Sequence, residues 1–167
     1  MKKQILNLSA IKKQLNKKAL LFNYTDNNRV IAWGENGYFA LYVPAMYFDE
    51  EIKTKLPTTQ TDIPKCINDV LNGFNGDISH LYNTDLSICF PNKIEVNIYK
   101  NNDYNYLTPI NKEMTNIINN IDTYTVKQYK QNWAVLFQNN DINIILLPCK
   151  NDGIAKKLKY ISEGIEK

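Results

Sequence analysis

The spacing of apolar positions changes period several times along this chain, and each change marks an element. Residues 2–8 alternate weakly, as a short strand does. Leu8, Ile11 and Leu15 then share one helical face, with Lys12, Lys13, Asn16, Lys17 and Lys18 elsewhere, and Ser9 stands at the N-cap position. "ALLFNYT", the turn residues "DNN" and "RVIAWG" follow as a hairpin. A second turn, "GENG", leads into "YFALYVP". Asn36-Gly37 is a strong hairpin signal, because a type I′ turn needs positive φ at both central residues. Residues 2–43 therefore read strand, helix, strand, strand, strand.

The same order returns over 104–150. "DYNYLTP" supplies a strand, and Pro109 suits a first helical turn. Ile110, Met114, Ile117, Ile118 and Ile121 fall at helical spacing. "TYTVKQYK" alternates at period two, and "NWAVLFQ", the turn "NND" and "INIILLP" form a hairpin like that at 20–34. Proline cannot donate to a ladder, so Pro44 and Pro148 end their strands. The middle segment, 44–103, opens with a loop or frayed helix. A helix follows, capped by Asp62, with Ile63, Ile67, Val70, Leu71 and Phe74 on one face, and then the strands "DLSICFP" and "KIEVNIYK". A C-terminal amphipathic helix over 153–166 carries Ile154, Leu158 and Ile161. No low-complexity linker divides the halves, so a single domain over 1–167 is expected. The expected fold is α+β, with two βαβββ repeats forming antiparallel sheet and helices on one side.

Two successive βαβββ units resemble one domain of the DNA sliding clamp family. "GENGYFALYVPAMYF" is similar to the clamp segment in which a glycine turn leads to a strand ending in an apolar-Pro-Ala step, here Val43-Pro44-Ala45. "NNDINIILLPCK" is similar to the last strand of a bacterial clamp subunit, with Leu146-Leu147-Pro148 before Lys150. The match covers roughly half the chain, and the middle helix and C-terminal tail are additions to the pattern. The resemblance implies that first-helix lysines Lys12, Lys13, Lys17 and Lys18 face DNA; the alternative is a solvated helix face. The second helix offers only Lys112, beside Glu113. Encircling DNA would require several such domains, hence a homo-oligomer.

Composition narrows the picture. At 44% hydrophobic, a 167-residue chain can bury a sizeable core. No apolar run of about 18 residues exists, so no membrane span is expected. Asn7, Lys12 and Lys13 interrupt any signal-peptide core, which suggests a cytoplasmic protein. Cys66, Cys89 and Cys149 are widely spaced and read as reduced thiols. Arg29 is the sole arginine among 20 Lys+Arg, and Asn, Ile and Tyr abound, as in an AT-rich genome such as that of a low-GC bacterium or its phage. The net charge of +3 permits nucleic-acid contact without requiring it.

No phosphate-binding glycine motif occurs, and no cofactor is implied. His80, the only histidine, lies between a helix and a strand and has no nucleophile motif around it. Asp49, Glu50 and Glu51 form either a charged loop, a partner contact or the start of a metal site. Tyr38, Tyr42 and Tyr47, and Tyr104 and Tyr106, are candidate partner anchors, since tyrosine offers large area at small rotamer cost. On a strand, Tyr38, Ala40 and Tyr42 share one face and Phe39 and Leu41 the other. The leading expectation is a non-enzymatic binding protein of a phage or mobile element, clamp-like in fold, acting on DNA metabolism or a protein partner. The alternatives are a host-defence inhibitor, such as an anti-CRISPR protein that binds a nucleoprotein effector, and a carboxylate-dependent metal enzyme.

Overall fold

The computed structural model describes residues 5–16, 20–25, 29–34, 39–55, 65–73, 79–91, 93–103, 106–140, 142–150 and 152–165. The expected turns at 26–28 and Asn36-Gly37, the Asp62 cap, and Lys17, Lys18, Tyr38 and Tyr104 lie outside them. In chain order come α1 (Leu8–Asn16), β1 (Leu20–Thr25), β2 (Arg29–Gly34), β3 (Phe39–Pro44), a 3-10 turn (Ala45–Tyr47), α2 (Glu50–Lys55) and α3 (Lys65–Gly73). Next are β4 (Ser79–Cys89), β5 (Glu95–Asn101), β6 (Tyr106–Asn111), α4 (Lys112–Thr115) and a 3-10 turn (Ile121–Thr123). The chain closes with β7 (Thr125–Gln128), β8 (Val135–Asn139), β9 (Ile142–Leu146) and α5 (Asp152–Ile165). The fold is mixed α+β.

Among the described residues, nine strands join one sheet in the order β1-β2-β3-β9-β8-β7-β4-β5-β6, and every pairing between them is antiparallel. Two meanders, β1–β3 and β7–β9, meet where Leu41 pairs with Ile144. β8 and β9 pair up to Asn139 and Ile142, which makes their connection short. Asn140 adopts φ 47° there, a left-handed conformation that asparagine tolerates well.

The sheet curls strongly. Tyr99 on β5 and Phe137 on β8 are three strands apart, a separation of about 14 Å in a flat sheet. Their rings nevertheless meet edge to face at 5.7 Å. The concave face holds the main core, which includes Leu6, Ile11, Phe39, Leu41, Ile52, Ile117, Phe137 and Ile144. Thr108 on β6, opposite Tyr99, donates to Gln128 on β7 at 3.0 Å, bridging the same concave face.

Helices cover both faces, not one. α1 and α2 contribute Ile11 and Ile52 to the concave core. α3 packs Val70 against Ile31, Ala40, Leu136 and Ile145 on the opposite face. α5 lays Ile154, Leu158 and Ile161 over Ile88, Val96 and Ile98. The reason lies in β3 and β5, which are apolar on both sides: Phe39 and Leu41 face the main core while Ala40 faces α3, and Tyr99 faces the main core while Val96 and Ile98 face α5.

Several local expectations change. Of the strand expected over 2–8, residues 2–4 lie outside the described residues and 5–7 give an isolated bridge, Leu6 to Ile118; Asn7 rather than Ser9 caps α1, accepting from the Ala10 N–H at 3.1 Å. Helical spacing over 110–121 yields a single turn, because Asn111 caps it and Asn120 takes φ 52°. Pro109 lies in β6, at the sheet edge, where a missing donor is tolerated. His80 is an exposed strand residue paired with Lys127.

Candidate binding site

α1 and α2 bring together two sets of charges that the sequence offers for different purposes. The Lys12 ammonium lies 2.9 Å from Asp49 and 2.5 Å from Glu51. Those two carboxylates, Glu51 first, hold Lys12 above the usual lysine range. Lys13 reaches Glu113 at 3.3 Å, and Glu50 takes Lys53 at 2.7 Å. Asp49 also caps α2, accepting from the Ile52 N–H at 2.9 Å. "FDEE" is thus a helix start rather than a loop. Its three acids are engaged with lysines and a cap instead of converging on one point, and no group of three metal-ligating side chains forms among the described residues. Charge here is locally balanced, which weakens any pull on DNA phosphates from Lys12 and Lys13.

The candidate tyrosines are largely absorbed by the fold. Tyr47 and Tyr106 pack against the main core, and the Tyr106 hydroxyl lies 3.2 Å from the Asn101 amide nitrogen. Tyr42 is half-buried beneath the Arg29 guanidinium, 4.1 Å from its ring centre. Tyr42 also packs against the α3-side cluster, so Tyr42, Tyr47 and Tyr106 all serve mainly as packing.

A groove of about 410 Å³ opens elsewhere, where β5 begins, β6 ends and the β9–α5 link crosses them. Its lining includes Ile94, Met114, Leu147, Pro148, Cys149 and Ile154, with Asn111, Asn132 and Lys150 as the polar members. Local bonds shape it. The Cys149 N–H donates to the Pro109 carbonyl at 2.9 Å, tying the link to the β6 edge. Asn111 accepts from the Glu113 N–H at 2.8 Å, fixing the start of α4. Lys112 and Glu95 pair at 2.6 Å beside it, and that contact holds the Glu95 carboxyl below its usual range. Burial pushes the Cys149 thiol up, which disfavours its thiolate, and the side chain packs against the α5-side cluster. Ile94 and Leu147 stay 38% and 42% exposed at the mouth.

The β7–β8 loop borders this groove through Asn132, which takes φ 66°. Gln128, fully buried, donates from its amide to the Trp133 carbonyl at 2.6 Å and so anchors the loop. Tyr129 and Trp133 rings lie 5.4 Å apart, with the Lys130 ammonium 4.6 Å from the indole centre. Trp133 remains 42% exposed. No family model, curated protein or solved structure matches this chain. Sequence reasoning missed this site because Ile94, Leu147 and Trp133 come from separate turns, and only the sheet order brings those turns to one end of the molecule. The available signal was "QNWA": an indole inside an asparagine turn between two strands is poorly placed for a core.

Among the described residues no helix is long and apolar enough to cross a membrane.

Proposed function

We propose that this protein is a binding module whose partner is another protein, and that the groove takes one or two apolar side chains of that partner. The carrying observation is that Ile94 and Leu147, both exposed, flank a lining of Met114, Cys149 and Ile154. Apolar side chains left in water around a concavity favour association, because covering them releases ordered water. The tilted Tyr129–Trp133 pair beside it has the character of an interface anchor: large area, few rotatable bonds and a fixed backbone. The clamp-like reading of the fold draws support from the two meanders joined through β3 and β9. The isolated Leu6 bridge and the one-turn α4 depart from that pattern.

Photocrosslinking tests the proposal. A benzophenone amino acid replaces Leu147, and a control replaces Thr54, which is exposed on α2. In the producing cell, position 147 is expected to give a discrete protein adduct that position 54 does not, and Ile94→Asp is expected to abolish it. Identical adducts from both positions, no adduct from 147, or an adduct indifferent to Ile94→Asp would overturn the reading.

A further inference from the structure

We infer that the outer face of α5 binds single-stranded nucleic acid, a role separate from the groove and not resting on it. α5 is amphipathic in a specific sense. Ile154, Leu158 and Ile161 face the sheet, leaving Lys156, Lys157, Lys159 and Tyr160 exposed. Tyr160 is 75% exposed, more than any other large hydrophobic side chain among the described residues. Lys156 and Lys157 stand four and three residues before it, the spacing that makes side chains neighbours on a helix surface. The patch extends beyond the helix. Lys157 lies over the Phe90 ring, 4.8 Å from its centre, and the Phe90 carbonyl accepts from the Lys93 N–H at 2.9 Å. Exposed Lys93 is thereby brought beside α5, and exposed Lys150 precedes the helix.

What singles out this face is how little its cations are neutralised. Lys12 and Lys13 on α1 are both ion-paired. Lys93, Lys150, Lys156 and Lys157 have no carboxylate partner among the described residues, and Lys159 meets Glu163 only at 3.8 Å. A run of unneutralised cations attracts phosphates through counterion release. An exposed tyrosine within that run supplies a stacking surface that only an unpaired base can reach. That combination favours a single strand over a duplex, and over an acidic protein surface, which has nothing to stack.

The test is fluorescence anisotropy with a labelled thirty-nucleotide oligo-dT, its duplex with oligo-dA, and poly-Glu as competitor. Oligo-dT is expected to bind the full chain at low salt more tightly than the duplex does. Lys156→Glu/Lys157→Glu/Lys159→Glu is expected to weaken it at least tenfold and to lower the logarithmic salt slope by about 2, from roughly 0.7 per phosphate contact. Tyr160→Ala is expected to weaken the single strand severalfold and leave the duplex unchanged. Lys12→Ser/Lys13→Ser is expected to change neither. The α5 positions are exposed and Lys12 is half-buried, and unchanged circular dichroism and melting would establish that each variant folds. Absence of binding, binding indifferent to the triple substitution, equal loss for strand and duplex on Tyr160→Ala, or displacement by poly-Glu at matched charge would each overturn the inference.

Discussion

Tyr99→Phe is expected to stabilise the protein. Tyr99 is 1% exposed in the main core, and its hydroxyl has no hydrogen-bond partner among the described residues. A buried hydroxyl without a partner costs roughly 1–3 kcal/mol, because its hydration is lost and nothing replaces it. Phenylalanine removes that cost. It keeps the edge-to-face contact with Phe137, an arrangement worth about 0.5–1.5 kcal/mol beyond area in such pairs. The small void left by one oxygen offsets part of the gain, so the net expectation is a stabilisation of about 1 kcal/mol. For a chain of this size that raises the melting temperature by about 2–4 °C. It should also raise the urea midpoint at unchanged slope, since the surface exposed on unfolding is the same. A pH arm sharpens the test. Burial, and then the Asp122 charge, hold the Tyr99 phenol well above its ordinary value of 10.0. A group whose folded pKa is raised contributes stability that is complete below the unfolded pKa and is lost as pH climbs toward the folded one. Wild type should therefore lose stability above about pH 10, and the advantage of Tyr99→Phe should widen there. Tyr124, pushed up to about 12, retains its own share of this alkaline sensitivity in both proteins. Lower stability of Tyr99→Phe at pH 7, or a gap that narrows above pH 10, would refute the reasoning and show that the hydroxyl is well satisfied.

Two further substitutions test the framework around the sites. Asp49→Ala should destabilise by about 1–2 kcal/mol in urea unfolding, since it removes the α2 cap and an exposed ion pair together; Asp49→Asn keeps a capping oxygen and should cost only a few tenths, so equal losses would count against the cap. Thr108→Val leaves the buried Gln128 carbonyl oxygen without its donor and should cost roughly 1–3 kcal/mol. Because Gln128 also anchors the β7–β8 loop, Thr108→Val should in addition alter Trp133 fluorescence, and an unchanged emission spectrum would mean that the loop is held independently.

Local sequence carried the strands well and the helices unevenly. β8 and β9 were legible because alternation and an Asn/Asp-rich turn act over a few residues; the structure carries β8 one residue into the expected turn "NND", where Asn139 pairs with Ile142. α5 was legible because Ile154, Leu158 and Ile161 bury together against one surface. The helix expected over 110–121 failed because the same isoleucines serve other geometries: Ile110 belongs to β6, and Ile117 and Ile118 enter the core from the turn after α4. Burial rewards apolar residues whatever backbone delivers them, and here asparagine caps and left-handed turns decided the backbone. The sidedness of the helices failed for a related reason. Alternation says that β3 has two faces, but Ala40 on the second face is small, and only α3 packing there makes it core. The site was the least legible, since charge counting along α1 cannot see that Asp49 and Glu51 return to Lys12 from 37 and 39 residues away.

Placement gives the two proposed surfaces a common consequence. Lys150 and Ile154 line the groove, while Lys156, Lys157 and Tyr160 follow within the next two turns of α5. A helix rises about 1.5 Å per residue, so Ile154 and Tyr160 are separated by about 9 Å along the axis. A partner that seated an apolar side chain in the groove would bring its own surface over the first turns of α5. If that partner carried nucleic acid, both surfaces could be used at once, and the second contact would form at the high effective concentration set by the first. The α1 lysines would gain nothing from the same approach, because Asp49, Glu51 and Glu113 already occupy them. A bulky protein lacking nucleic acid that reached over α5 would cover Lys156 and Lys157 without matching their charge, and desolvating unpaired ammonium groups is costly. If both proposals hold, each surface still works alone, and a protein that presents an apolar anchor beside a phosphate chain would gain from using the two together.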